Sequence, residues 1–347
     1  MAEPAHGTSV TAEVVASLPE AVDAWALSLN ESPFPPLPAV RSTLVRSLDA
    51  ANRYPEFLPG QLPRMIADRI GVNDDQVVVG PGASGVAMQV LHAVTRPGDR
   101  IVMSTPTFDG YPIFAQMARL TPVTIPLDRY GYQDLAAMAE AAADAKVIVL
   151  CRPHNPTGTL ETLSSVDWFL RQIPSDTVVL LDEAYIEFVA ARYRIDGPDL
   201  VRRFPNVVVL RTFSKAYGLA GLRIGYGFAA PELAATVAGM QLPFGMSNAS
   251  VAAVAASYDA ESQLAQRIRR IVTERNHLRL RLMAMGVYSM DSHANFVYLP
   301  KSRRPWRDVF AETGLQVRCY PDGGARITVG ELPSTLAVLS AVEKSLA

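Results

Sequence analysis

Four short apolar runs end in loops that carry an amide, a carboxylate, a phenol, an amine and a guanidinium. KVIVL (146–150) leads into Cys-Arg-Pro-His-Asn155-Pro-Thr-Gly158. TVVLL (177–181) leads into Asp182-Glu-Ala-Tyr185. NVVVL (206–210) leads into Arg-Thr212-Phe-Ser214-Lys215, with Arg223 just beyond in Gly221-Leu-Arg223-Ile-Gly225. QVVVG (76–80) leads into Pro-Gly82-Ala83-Ser84-Gly85. Each piece alone is ordinary. Asn-Pro-Thr-Gly is usually a turn, a lone lysine is usually solvated, and Gly-Ala-Ser-Gly makes a tight turn with an N-cap serine. Together they suit one chemistry, that of pyridoxal phosphate. Its aldehyde needs a lysine amine, and its ring nitrogen needs a carboxylate to stay protonated so that the ring can accept electrons. Its 3-oxygen needs an amide and a hydroxyl. Its phosphate needs a helix N-terminus, hydroxyls and a guanidinium.

The elements that must hold these groups follow from the same runs. With RIVMS (100–104), they are continuously apolar, as strands buried on both faces of a parallel sheet must be. The segments between them (84–94, 110–118, 135–143 and 164–172) have helical spacing. Strand–helix alternation predicts an α/β fold, a mainly parallel sheet with helices on both faces. Ligands of such sheets bind beyond the carboxyl ends of the strands, where the five groups lie. After residue 248 an Ala/Arg/Leu-rich segment runs to Met285 and predicts one or two helices. A strand at 295–299, a helix near 306–312, strands near 315–318 and 325–329, and a last helix then predict a smaller α+β domain. The expected organisation is an irregular, Pro-rich arm (1–45) packed on the small domain or a dimer partner, a large cofactor-binding domain (46–248) and a small C-terminal domain (249–347).

Composition narrows the class. Hydrophobic residues at 49% against 19% charged exclude a disordered chain. A net charge of −2, from 32 basic and 34 acidic residues, gives no electrostatic handle for nucleic acid or an anionic membrane. Two cysteines exclude a disulfide scaffold, and the five histidines have no metal-ligand spacing, so no metal is expected. No apolar run approaches the ~18 residues of a membrane span. The first residues, Met-Ala-Glu-Pro-Ala-His, lack a basic-then-apolar signal. A cytoplasmic location is expected.

With these residues in view, the chain resembles the fold-type I pyridoxal-phosphate aminotransferases, and more narrowly the histidinol-phosphate aminotransferase family with its aromatic-aminotransferase branch. The matching stretches are LSLNESPF (27–34), NRYP (52–55), GPGASG (80–85), HNPTG (154–158), DEAYIEF (182–188), RTFSKAYGLAGLRIGY (211–226), ANF (294–296) and ARITVG (325–330). They run in order from the arm to the last domain. The resemblance implies that Lys215 forms the Schiff base and moves the proton, and that Asp182 faces the pyridinium nitrogen. Asn155 and Tyr185 bind the 3-oxygen. Ala83, Ser84, Thr212, Ser214 and Arg223 hold the phosphate, and Phe108 stacks on the ring where the family usually has tyrosine. Tyr54 reaches the partner's site in a homodimer. Arg326 binds the substrate's α-carboxylate, a role suited to a planar two-pronged donor.

The substrate side departs from the family. The Tyr-x-Pro-Gly stretch that usually covers the pocket is missing between Leu18-Pro19 and Leu29-Asn30-Glu31. Arg318 and Arg326 are only eight positions apart, joined by Cys319-Tyr320-Pro321-Asp322-Gly323-Gly324, as in the aromatic branch. Arg318 stands where the family grips a substrate phosphate. Phe34, Phe108, Tyr320 and Phe244 are expected to line an apolar pocket, and Asn30 to bind the substrate. The resulting expectation is ping-pong transfer between an aromatic amino acid and a 2-oxo acid. The alternatives are a histidinol-phosphate aminotransferase and a related decarboxylase. A DNA-binding regulator is disfavoured, because the Pro-rich residues before the core carry no basic helical module.

Overall fold

The computed structural model describes residues 22–346. The first 21 residues of the expected arm, with Leu18-Pro19, lie outside the described residues. In chain order come β1 (Ala26–Leu27), α1 (Pro38–Ser47), α2 (Gln61–Ile70), β2 (Val77–Pro81), α3 (Gly82–Val94), β3 (Arg100–Thr105), α4 (Gly110–Met117), β4 (Thr121–Pro126) and α5 (Leu135–Ala141). Next are β5 (Val147–Cys151), α6 (Leu163–Gln172), β6 (Val178–Asp182), α7 (Gly197–Arg203), β7 (Val207–Thr212), β8 (Ile224–Phe228) and α8 (Pro231–Ala238). The chain ends with α9 (Asn248–Asp259), α10 (Glu261–Ala284), β9 (Phe296–Leu299), α11 (Trp306–Phe310), β10 (Gln316–Cys319), β11 (Ala325–Thr328) and α12 (Leu332–Leu346).

The large sheet has seven strands in the order β2-β8-β7-β6-β5-β3-β4. β8 is antiparallel to both its neighbours, and the other pairings are parallel. The apolar runs are continuous because both faces are covered. Val179 and Leu181 enter the core beneath α2, α6 and α9. Leu180 enters the opposite core with α3, α4 and α8. Burying each such side chain contributes about 1.5–3 kcal/mol, so the sheet is a stiff platform. Its register pairs Cys151 with Asp182, Asp182 with Leu210 and Thr212 with Gly225. The ends of β5, β6 and β7 therefore finish side by side.

Two strands lacked an aliphatic run to announce them. β4 is one of the two edge strands, half-exposed and carrying two prolines, which an edge tolerates. β8, Ile-Gly-Tyr-Gly-Phe, is interrupted by two glycines. Its Gly225 lets the strand press on α3, since a Cβ there would lie 2.1 Å from the Ala83 nitrogen.

The small sheet, β1-β10-β11-β9, takes its first strand from the N-terminal segment, parallel to β10. Leu27 and Phe34 enter its core with Phe296, Ile327, Leu282 and Val338. Two expectations change here. Residues 38–47 are not irregular, because Pro38 sits in the first turn of α1, where proline's missing N–H costs nothing. The helix after residue 248 packs not on the small sheet but on the large one: Ala253 and Val254 of α9 share a core with Val40 and Leu62. Small-sheet packing begins farther along, at Ile268 and Ile271 in α10. Among the described residues no helix is long and apolar enough to cross a membrane.

Candidate active site

A cavity of about 420 Å³ opens beyond the carboxyl ends of β5, β6 and β7, against the small sheet. This is within the usual range for small-molecule sites. Twelve of the seventeen expected site residues line it: Asn30, Ala83, Ser84, Phe108, Asn155, Asp182, Tyr185, Thr212, Ser214, Lys215, Arg223 and Arg326.

One end is an anion cradle. Proline at the N-cap of α3 leaves the first N–H groups of that helix without a side-chain cap. Gly82 precedes them at φ +80°, and a Cβ there would come within 2.4 Å of Arg223 Nη2. The guanidinium thus sits against bare backbone. Arg223 Nη1 donates to the Ala220 carbonyl (2.9 Å) and to Ser214 Oγ (3.4 Å), which also accepts from Thr212 Oγ1 at 3.0 Å. Free helix N–H groups, hydroxyls and a guanidinium meeting at one point suit an anionic group such as a phosphate.

The floor holds the carboxylate. Asp182 Oδ2 accepts from the Tyr111 phenol at 2.6 Å, and Oδ1 accepts from the Ala184 N–H at 2.9 Å. Burial raises its pKa, while these two donors and the Lys215 charge pull it down. Tyr111 also meets Phe108 edge-on at 5.7 Å. Its bond to Asp182 spans 71 positions, so no local pattern announces it.

Tyr185 and Asn155 form one side wall. Tyr185 OH accepts from Asn30 Nδ2 (2.9 Å) and Asn155 Nδ2 (3.3 Å), leaving its own proton to donate. Burial raises this phenol's pKa well above its usual value. Asn155 is held through the preceding residue. The His154 ring bonds Ser104 Oγ at 3.0 Å and Thr157 Oγ1 at 2.8 Å. Burial pulls its pKa to about 3, so the imidazole is neutral.

Lys215 Nζ donates to the Leu29 carbonyl at 3.0 Å. Burial first, then the Arg326 and Arg223 charges, lower its pKa to about 8. An amine near 8 gains and loses a proton close to neutral pH, as a catalytic base must.

The last wall comes from the small sheet. Arg326 on β11 donates from Nη1 to Asn155 Oδ1 and from Nη2 to the Ser28 carbonyl, both at 2.6 Å. Its buried Nε has no partner among the described residues, which suits a site built for one more anionic ligand. Asn30 is fixed from both sides: its N–H donates to Thr328 Oγ1 at 2.9 Å and its carbonyl accepts from Asn295 Nδ2 at 3.1 Å.

Five expected residues do not line the cavity. Phe34 is buried in the small core beneath the guanidinium groups of Arg267 and Arg270, at 5.4 and 5.0 Å from its ring centre. A ring covered by two arginines is not available to a substrate. Tyr320 packs with Met290 and Tyr298 and backs Arg326, whose guanidinium is 5.9 Å from its ring. Arg318 is held by Asp109 at 3.0 Å. Tyr54 is 81% exposed and packs on Phe244 at 4.7 Å, which takes Phe244 away from the pocket as well. Besides Tyr111, sequence reasoning missed Glu31, Asp109 and Phe114, all of which line the cavity.

The arrangement fits pyridoxal phosphate on the geometry of this chain: an anion cradle, a buried carboxylate and a depressed-pKa lysine share one cavity. Comparison with known proteins agrees. The family model described as aminotransferase class I and II matches residues 23–339. A protein named aromatic amino acid aminotransferase from Corynebacterium efficiens is 41% identical over 325 residues, 92% of this chain and 93% of its own. One of the same name from Rhodococcus opacus is 42% identical over 308 residues, 88% of this chain and 86% of its own. Among solved structures, histidinol-phosphate aminotransferase from Sinorhizobium meliloti in complex with pyridoxal-5'-phosphate superimposes with a TM-score of 0.86 at 26% identity, covering 93% of this chain and 92% of that one.

Proposed function

The chain belongs to the class I and II aminotransferase family, and from that premise we propose that it is a pyridoxal-phosphate enzyme acting on aromatic amino acids. An amino group passes from the amino acid to the enzyme and then to a 2-oxo acid in two half-reactions at one site. When bound, pyridoxal phosphate supplies an aldehyde for the amino group and a ring that accepts the electron pair left at the α-carbon.

The chain's own residues do the rest. Ala83, Ser84, Thr212, Ser214 and Arg223 hold the phosphate. Asp182, kept in place by Tyr111 and the Ala184 N–H, offers negative charge to the ring nitrogen. Asn155 and Tyr185 donate to the ring oxygen, and Phe108 covers a ring face. Arg326 orients the substrate by its α-carboxylate. Lys215 takes the proton from the α-carbon and returns it one position away, a task its pKa of about 8 suits.

The observation that carries the aromatic reading is the state of the two substrate-side arginines. Arg326 faces the cavity with an unpartnered Nε, while Arg318 is tied to Asp109. That leaves one anion grip, beside apolar Leu29, Phe108 and Phe114. The relatives named for aromatic amino acids support the same reading. Histidinol phosphate is the second reading, favoured by the presence of Arg318 and by the Sinorhizobium neighbour. Mixing the yellow holoenzyme with single donors separates them. Phenylalanine, tyrosine and tryptophan should bleach the visible absorbance fast and histidinol phosphate slowly. The reverse order overturns the proposal.

A homodimer is part of the proposal. Tyr54, Phe57 and Phe244 are 81, 60 and 42% exposed, and Phe244 packs against both others, tilted on Tyr54 at 4.7 Å and edge-on to Phe57 at 5.1 Å. Such an aromatic patch needs a cover, and a second copy places Tyr54 at the neighbouring site. Sedimentation showing only monomer at working concentration contradicts this part.

A further inference from the structure

Two acids that the transamination chemistry leaves unused line the cavity, Glu31 and Asp109, and Asp109 is the one paired with an arginine across the opening. Asp109 follows Phe108 directly and lines the cavity. It occupies the N-cap position of α4, yet its side chain makes no capping bond. Instead Oδ2 accepts from Arg318 Nη2 at 3.0 Å, with both side chains about half exposed at 51% and 48%. Asp109 belongs to the large-sheet unit and Arg318 to β10, so the pair bridges the two sides of the opening. The guanidinium of Arg318 also lies 5.5 Å from the Tyr320 ring, whose centre is 5.9 Å from Arg326. A second cation is thus one ring away from the α-carboxylate grip and is neutralised by one acid.

We propose that Asp109 is the specificity-determining residue of this site. By holding Arg318 it neutralises that cation at the opening and favours amino acids with uncharged side chains over those ending in phosphate or carboxylate. This rests on the aromatic reading above. The physical argument is differential. As a stability element, a half-exposed ion pair contributes little. For a third charge brought within a few ångströms it matters more. A neutral ring leaves the pair undisturbed. An anionic side chain has to take Arg318 from Asp109 and then sit beside the Asp109 charge. Specificity of this kind works by repulsion of the wrong ligand as much as by attraction of the right one.

The test is Asp109→Asn, which keeps a good N-cap residue and nearly the same volume. The ratio of kcat/KM for histidinol phosphate to that for phenylalanine is measured in the unmodified enzyme, D109N, R318A and the double variant. D109N should raise the ratio about tenfold, the effect of removing one close like charge from a partly solvated site. Adding R318A should cancel the rise. A D109N ratio within about twofold of the starting value overturns the proposal, as does a rise that persists without Arg318. A second readout needs no turnover. Titration calorimetry of inorganic phosphate into each holoenzyme should show about tenfold tighter binding in D109N and none of that gain in the double variant. If the unmodified enzyme converts neither aromatic donors nor histidinol phosphate, the aromatic reading fails, and the phosphate titration still decides the role of Asp109. Melting temperatures of the four proteins separate misfolding from a change of preference.

Discussion

The two walls of the cavity are built in opposite ways. The cofactor wall comes from the ends of β5, β6 and β7, whose runs are buried on both faces and whose register sets Cys151, Asp182 and Leu210 side by side. The substrate wall comes from short strands and the N-terminal segment. Its contacts join residues far apart in the chain: Arg326 to Asn155 across 171 positions and Asn30 to Thr328 across 298. One wall is a by-product of a rigid sheet. The other exists only after two units and the N-terminal segment have come together. A family can keep the first unchanged and vary the second, which is how one chemistry serves different substrates.

The comparison predicts a hierarchy of effects. Lys215→Ala should lower transamination by at least about 10³-fold and abolish the yellow absorbance, with folding preserved; normal turnover in that protein ends the assignment. Asp182→Ala should retain cofactor but lose about 10²- to 10³-fold in rate, the usual cost of removing one preorganised electrostatic group. Unchanged kinetics would mean that the ring nitrogen has another partner. On the substrate wall, Arg326→Ala should raise KM for amino acid and oxo acid alike by about 10- to 100-fold, the loss of a charge-assisted bond. If it costs more than Asp182→Ala, the cofactor wall is not the dominant one.

The pH dependence of Lys215 sharpens the point at which the walls meet. Only the neutral amine attacks an aldehyde, and the Lys215 pKa is lowered to about 8 by burial and by Arg326 and Arg223. Capture of pyridoxal phosphate by the cofactor-free protein should therefore speed up as pH rises toward 8 and level off above it. A rate still climbing near pH 10 would mean an ordinary lysine. The smallest effect is expected from Thr328→Val, which leaves the buried Asn30 N–H without its acceptor. That costs about 1–3 kcal/mol of stability and should raise KM only a few-fold, as checked by thermal melting and steady-state kinetics.

The site is most legible in the sequence where reactive side chains and strand ends coincide. Asn155, Asp182, Tyr185, Lys215 and Arg223 each follow or flank a recognisable run or glycine turn, and all line the cavity. β8 is not legible, because alternating glycines disguise a strand, and neither is the packing of α9, whose side chains give no hint of which sheet they cover. The same holds for the placement of Phe34 and Tyr320. Being aromatic and near a motif says nothing about which side of a segment faces a cavity.

By itself the sequence determined the parallel sheet, because only strands buried on both faces carry such continuous Val/Ile/Leu runs. It also determined the groups at the strand ends, because local order along the chain becomes spatial order along the sheet edge. Tertiary structure alone decided that Tyr111 holds Asp182, that Arg326 reaches Asn155, and that Asp109 neutralises Arg318. The reason is distance along the chain. These pairs are 71, 171 and 209 positions apart, and their meeting depends on how sheets, helices and the N-terminal segment pack, which no spacing within a motif encodes.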